Sequence, residues 1–253
     1  MPTLLTDSFF YLCAIPAVLI FGLSKGGFGG AIGILSVPLM AFSVSPPQAA
    51  AILLPILCAM DIIAIRKYWR RWHRKNLLIL IPASIIGIVI GSLTFRYLSD
   101  AHIRILIGLL ALGFSLYFWF GQSRADSGEK PSVSKGRFWG MVAGFTSFGV
   151  HAGGPPVSIY LLPQRLPPTE FVATTAALFG VINYTKLVPY FWLGQLTSAN
   201  FLVSLVLLPL APIGISLGYY LHDKIPVKTF YQVSYFFLML AGIKLLYEGV
   251  MAI

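Results

Sequence analysis

The chain has 253 residues, of which 18 are basic and only 8 acidic; charged side chains make up 10%, apolar ones 57%, and the mean hydropathy is +0.83. A water-facing surface normally needs about 25% charged residues, so soluble enzyme folds are excluded. The net charge of +10 would point to nucleic acid in a soluble protein, but in a membrane protein Lys and Arg accumulate in cytoplasmic loops, and that is the cause read here.

Three stretches lack ionisable side chains other than Cys and Tyr: 35 residues between Lys25 and Asp61, 20 residues over 76–95, and 35 residues between Lys186 and His222. A helix needs about 20 apolar residues to cross the hydrocarbon core. The fold class expected is therefore all-α, a polytopic helical membrane protein. In chain order the apolar segments are 9–24, 31–43, 47–68, 77–97 and 103–120, then 138–150, 155–162, 169–192, 200–221 and 227–250. The first two of each set are short and joined by glycines, which reads as a hairpin or broken helix, so 8–10 helices are expected.

The two sets of five repeat one another. Pro82, Gly87 and Gly91 recur as Pro209, Gly214 and Gly218, each at an offset of 127. Pro46-Pro47 before an Ala-rich run recurs as Pro167-Pro168, and the cluster Gly26-Gly27-Phe28-Gly29-Gly30 has its counterpart in the stretch from Gly149 to Pro155. Five segments is an odd number, so a duplication inserts the second half inverted. The basic residues agree: loop 66–75 holds six Lys or Arg and its counterpart 193–199 holds none. Propagating that orientation puts 13 of the 18 basic residues on the cytoplasmic side and both termini outside. The domains expected are an N-terminal repeat over 1–121, a flexible cytoplasmic linker over 122–135, and an inverted C-terminal repeat over 136–253. Trp69, Trp72, Trp119, Trp139 and Trp192 fall at segment ends, where amphipathic rings prefer the headgroups. Cys13 and Cys58 sit in apolar runs and read as small hydrophobes, and no cleavable signal peptide is expected because the basic n-region is missing.

Chemistry is expected at the breaks. A broken helix frees backbone N–H groups that lipid cannot satisfy, so it survives only beside a protein-lined or watery cavity, and half-helix N-termini suit anions. Ser24-Lys25-Gly26-Gly27-Phe28-Gly29-Gly30 fits, with Lys25 adding a full charge; the other reading is that Lys25 snorkels to the headgroups. In the second break, Thr146-Ser147-Phe148-Gly149-Val150-His151-Ala152-Gly153-Gly154-Pro155-Pro156, His151 is read either as an anion donor and proton carrier or as a packed side chain. Asp61 is the only acidic residue deep in an apolar run, which signals function or a specific partner: a proton-coupling role, a pair with Lys25, or an interfacial pair with Arg66 or Lys67. Asn183 is its counterpart. Arg96, Arg104, Lys186 and Lys244 are read as flanking loops or pairing within helices, Lys244 with Glu248, and Lys186 also shares the two readings open for Lys25. The Gly87/Gly91 and Gly214/Gly218 pairs are read as close helix contacts. No HExxH, GxSxG, Walker A or CxxC motif occurs, so no catalytic residue, metal ligand or cofactor is expected, and the chain is read as not an enzyme.

At these glycine clusters the sequence resembles the sulfite exporter TauE/SafE family of bacterial membrane permeases. The resemblance rests on Gly27-Phe28-Gly29-Gly30 with the following Pro38, on the mirrored Gly153-Gly154-Pro155, on the Pro-Pro entry to each third segment, and on the two-fold repeat. It implies export of small sulfur-containing or other organic anions from a bacterial inner membrane, with the glycine hairpins as site elements. The substrate-binding residues expected are Lys25, Gly27, Phe28, Gly29, Gly30, Ser147, His151, Gly153 and Gly154, with Asp61 and His151 for proton coupling. The partners expected are a small anion and the lipid bilayer, with a homodimer as candidate assembly and no nucleic acid. The competing readings are a carrier of another small solute or a metal cation, and a membrane-embedded hydrolase.

Overall fold

The computed structural model describes residues 4–27, 31–120, 130–222 and 227–253, and every regular element among them is helical. The first half holds α1 (Ser8–Gly27), a 3₁₀ turn (Ala31–Leu35) running into α2 (Ser36–Met40), α3 (Pro46–Lys67), α4 (Arg74–Phe95) and α5 (Asp100–Phe120). The second half holds α6 (Val133–Val150), α7 (Gly154–Leu161), α8 (Pro168–Trp192), α9 (Ser198–Leu207), α10 (Leu210–His222) and α11 (Val227–Met251). Helices α1, α3, α4, α5, α8 and the 232–251 part of α11 are long and apolar enough to cross a membrane, and α9 with α10 makes a seventh, bent by 44°. The chain is a polytopic helical membrane protein.

The starts of these helices follow from the sequence. Ser45 stays extended so that Pro46 and Pro47 occupy the first turn of α3, and Pro167 does the same before Pro168 in α8; proline at these positions gives up an N–H that would have no partner anyway. His73 Nδ1 accepts from Asn76 N at 3.2 Å to cap α4, and Thr197 Oγ1 accepts from Asn200 N at 3.2 Å to cap α9. Helix α6 starts at Val133, so it takes in the last residues assigned to the linker; positions 122–129 of that linker lie outside the described residues.

Segment 200–221 departs from expectation. It is two helices, because Pro209 has no N–H to bond back and the chain bends there. Its counterpart Pro82 stays inside the continuous α4. Helix α4 packs along α6 and α8, and the α9–α10 pair packs on α3 and α1, so both segments lie against two neighbours and a proline permits the bend without dictating it.

Four pairings build the bundle: α1 with α10, α4 with α6, α3 with α8, and α5 with α11. The first two depend on glycine. A Cβ at Gly22 would come 2.8 Å from the Gly214 backbone, and one at Gly218 would come 3.0 Å from Gly26 Cα. In the other pairing a Cβ at Gly140 would lie 3.0 Å from the Leu80 carbonyl, and Ser84 Oγ donates to the Gly140 carbonyl at 3.0 Å. Such contacts bring membrane helices to van der Waals distance where no hydrophobic force drives them together. Helix α3 is the most buried span and α5 the least. Apolar side chains such as Leu78, Val188 and Phe191 point outward, which suits lipid.

Candidate substrate site

The two helix breaks end against α3 and α8, the buried centre of the bundle. Helix α1 supplies Lys25, α3 Asp61, α6 Ser147 and His151, and α8 Asn183 and Lys186. None of these six is more than 6% exposed. His151 caps the end of α6, its N–H donating to the Ser147 carbonyl at 3.1 Å, and Asn183 and Lys186, three apart on α8, share a helix face.

The six side chains form two groups. In the first, the Lys25 ammonium forms an ion pair with Asp61 Oδ1, and Asn183 Nδ2 donates to Asp61 Oδ2 at 2.7 Å. In the second, Lys186 Nζ donates to the Ser147 carbonyl at 3.0 Å and to Ser147 Oγ at 3.1 Å, and stands 2.6 Å from His151 Nδ1. His151 Nε2 lies 2.9 Å from the Ala50 carbonyl. A lysine donating to Nδ1 and a carbonyl facing Nε2 assign the neutral Nε2–H tautomer. All three acceptors around Lys186 are uncharged, and among the described residues no carboxylate forms an ion pair with it. Counted with their ordinary charges, Lys25, Asp61 and Lys186 sum to a formal +1. Burying an unbalanced cation is costly, and the arrangement favours an anion.

Between the groups lies an enclosed cavity lined by Lys25, Ser147, His151, Gly154 and Asn183, with Phe21 and Phe179 as apolar walls. Its volume of about 10 Å³ is room for a single water. Phe21 meets the His151 ring edge-on at 6.3 Å, and Lys25 Nζ stands 5.8 Å from the Phe21 centroid.

Helix α6 ends in a left-handed turn, with His151 at φ 55°, a conformation that a non-glycine residue adopts only when its surroundings hold it there. Thr146 holds it. Its carbonyl accepts from Ala152 N at 3.2 Å and its hydroxyl donates to the Ala152 carbonyl at 3.0 Å. Gly153 follows, and a Cβ there would come 2.9 Å from both the Ala143 carbonyl and the Phe179 ring. Helix α7 then opens with Gly154, Pro155 and Pro156. Two of these three carry no N–H, so the second break offers few backbone donors.

The sequence-predicted residues fall as follows. Lys25, Ser147, His151 and Gly154 line the cavity, and Lys25 is buried rather than snorkelling. Gly153 packs behind it. Gly27 is the buried last residue of α1, and Phe28, Gly29 and Gly30 lie outside the described residues. Asp61 pairs with Lys25, not with Arg66 or Lys67; Lys67 instead stands 3.1 Å over the Tyr219 ring. Of the readings open for Lys186, the structure shows the buried one: it does not flank a loop and is fully buried beside Ser147 and His151. A signal for it existed, because it borders a 35-residue charge-free run just as Lys25 does and follows Asn183 by one helical turn. Lys244 pairs with Glu248 at 3.7 Å as expected, and Arg104 joins them from α5 at 2.9 Å.

Comparison with known proteins bears on the same helices. The family model described as "Sulfite exporter TauE/SafE" matches residues 14–245. The chain belongs to the sulfite exporter TauE/SafE family. Among individual TauE/SafE-like proteins, it is 30% identical over 131 residues to a probable membrane transporter protein, YunE, of Bacillus subtilis (strain 168), covering 49% of this chain and 47% of that protein. It is 26% identical over 181 residues to a probable sulfite/organosulfonate exporter, TauE, of Cupriavidus necator, covering 68% of this chain and 69% of that one. The matches thus span about half and about two thirds of these relatives' lengths. No solved structure matches the chain.

Proposed function

We propose that this protein is a secondary transporter of small anions, sulfite, sulfoacetate or a related organosulfur or organic acid, working as an exporter in a bacterial inner membrane. The observation that carries the reading is the buried excess of one positive charge around the cavity between the two breaks. The family membership and the name of the Cupriavidus relative support the substrate class. The rival reading, a metal cation, has the wrong sign of charge at this site. A membrane hydrolase would need a nucleophile held by a base, and Ser147 Oγ instead accepts from Lys186.

On this reading Lys25 meets the anion first, and Lys186 acts from behind Ser147 and His151. The halves, 1–121 and 136–253, are inverted repeats that rock about the site to alternate access. The reciprocal pairing of α1 with α10 and α4 with α6 supports this, since each joins the first element of one half to the fourth of the other. Coupling is to protons, and Asp61 is the better carrier. A second proton on His151 would have to displace the donor it receives from Lys186, whereas Asp61 can take one by releasing Lys25.

Flux of radiolabelled sulfite or sulfoacetate in proteoliposomes tests the reading. Saturable flux in the wild type that falls at least 100-fold in Lys25→Ala is expected. Non-saturable flux, or flux unchanged by the substitution, overturns it.

A further inference from the structure

Loop 66–75 joins α3 to α4, both long and apolar enough to span a membrane, so its place in the chain sets it at headgroup level. Its six basic side chains, Arg66, Lys67, Arg70, Arg71, Arg74 and Lys75, are all exposed. Among the described residues none of the six forms an ion pair. The packing adds to them. Cβ atoms built at Gly136, Gly140 and Gly144 would meet Ile79, Leu80 and Ser84 in turn, so α4 and α6 run in the same direction. The exposed Lys135 and Arg137 at the start of α6 therefore share the face of the loop. Against these cations the described residues set one acidic side chain on that face, Glu170, a turn before Thr174 in α8. The loop is also braced. His73 N donates to Thr174 Oγ1 at 2.9 Å, Asn76 Nδ2 donates to Gln164 Oε1 at 2.9 Å, and the Tyr160 hydroxyl donates to Asn76 Oδ1 at 3.0 Å. Arg71 N donates to the Tyr68 carbonyl at 3.1 Å, closing a turn in which Arg70 takes φ 60°.

We propose that this face is a binding surface for the headgroups of anionic phospholipids, with Arg70, Arg71 and Arg74 taking the phosphate. Four of the six loop cations are arginines, whose planar fork matches phosphate oxygens two at a time. Lys67 stays over the Tyr219 ring and keeps its charge there. Trp69 is 59% exposed and meets Trp72 edge-on at 5.5 Å, a pair suited to the boundary between headgroups and acyl chains. A positive loop orients the chain during insertion whatever the loop's shape. A folded and braced one goes on to hold lipid, because the ordering of its side chains is largely met before the lipid arrives. The braces run from the first half to α7 and α8 of the second, so a lipid bound to the folded loop stabilises the contact between the halves.

The test titrates the full chain, in an uncharged detergent, with phosphatidylglycerol, phosphatidylcholine or water-soluble glycerol 3-phosphate. Thermal unfolding and the lipid retained in native mass spectrometry are the readouts. Phosphatidylglycerol is expected to raise the unfolding temperature and to stay bound, with an affinity that falls as salt is added; the other two, at equal concentration, should do neither. Each basic side chain near an anionic surface strengthens binding about fivefold, so Arg70→Gln, Arg71→Gln and Arg74→Gln together should weaken phosphatidylglycerol about 100-fold. If the triple variant does not fold, Arg71→Gln with Arg74→Gln carries the test, with a loss of about 25-fold expected. The control removes two cations from the opposite face, Arg96 at the far end of α4 and Lys244 beside Glu248; Arg96→Gln with Lys244→Gln should stay within threefold of wild type. Equal stabilisation by phosphatidylcholine or by glycerol 3-phosphate overturns the proposal. So does a loop variant within threefold of wild type, or an equal loss in the control.

Discussion

The helices that lead into the two breaks of this protein, α1 and α6, bring their last residues to the same buried centre and differ in their electrostatics. At the end of α1 a lysine meets a carboxylate, and the pair is neutral. At the end of α6 a lysine reaching in from α8 meets a carbonyl, a hydroxyl and a neutral imidazole. The difference comes down to one side chain, because Asn183 stands where a repeat of Asp61 would. Asp61 and Asn183 are also hydrogen-bonded to each other, and two equivalent residues that touch lie at the axis relating the halves on the proposed repeat. On the proposed repeat, a duplicated scaffold carries a carboxylate in one half and an amide at the approximately matching position of the other.

The contrast can be broken most sharply by removing each lysine in turn. Lys25→Ala strands the fully buried Asp61 carboxylate and should destabilise the fold by about 3–5 kcal/mol, while the added change Asp61→Asn should recover most of that loss. Lys186→Met strands only uncharged acceptors and should cost about 1–3 kcal/mol. Thermal unfolding in detergent measures both, and equal losses would mean that the two breaks are electrostatically alike after all.

The seams between the halves give a smaller effect. Gly214→Leu forces a side chain onto the Gly22 backbone and should cost about 1–3 kcal/mol by overpacking, whereas Gly113, with nothing within 4 Å of a built Cβ, should accept leucine within about 0.5 kcal/mol. The two prolines should show the least. Pro209→Ala removes the cause of the bend between α9 and α10 and is expected to change flux by about threefold, while Pro82→Ala in the straight α4 should leave it within twofold. Flux assays on both variants decide, and a larger effect at Pro82 would contradict the assignment of the bend to Pro209.

The spans were legible because membrane helices announce themselves by length and lack of charge, and the starts of α3, α7 and α8 were legible because proline fits the first turn and little else. Asp61 was legible as costly, and its partner Lys25 was among the readings open for it. What stayed open was Lys186. Its position at the edge of a charge-free run suits a headgroup-seeking side chain as well as a buried one, and only the packing of α8 against α3 and α6 separates the two. The bend at Pro209 escaped because Pro82, its counterpart on the proposed repeat, sits in a straight helix, and a proline permits a bend without dictating one. Local chemistry wrote the elements, and their neighbours wrote the exceptions.

Pro155 and Pro156, at the mouth of α7, leave the second break short of amide donors. On the proposed anion site, recognition there falls to side chains instead: Ser147, His151 and, through them, Lys186. An amide cradle is common to every sequence that folds the same way and cannot be edited without refolding the chain. A cradle of side chains can be rewritten one codon at a time. A scaffold of this kind can pass from one acid to another by point substitution, with its helices left where they are.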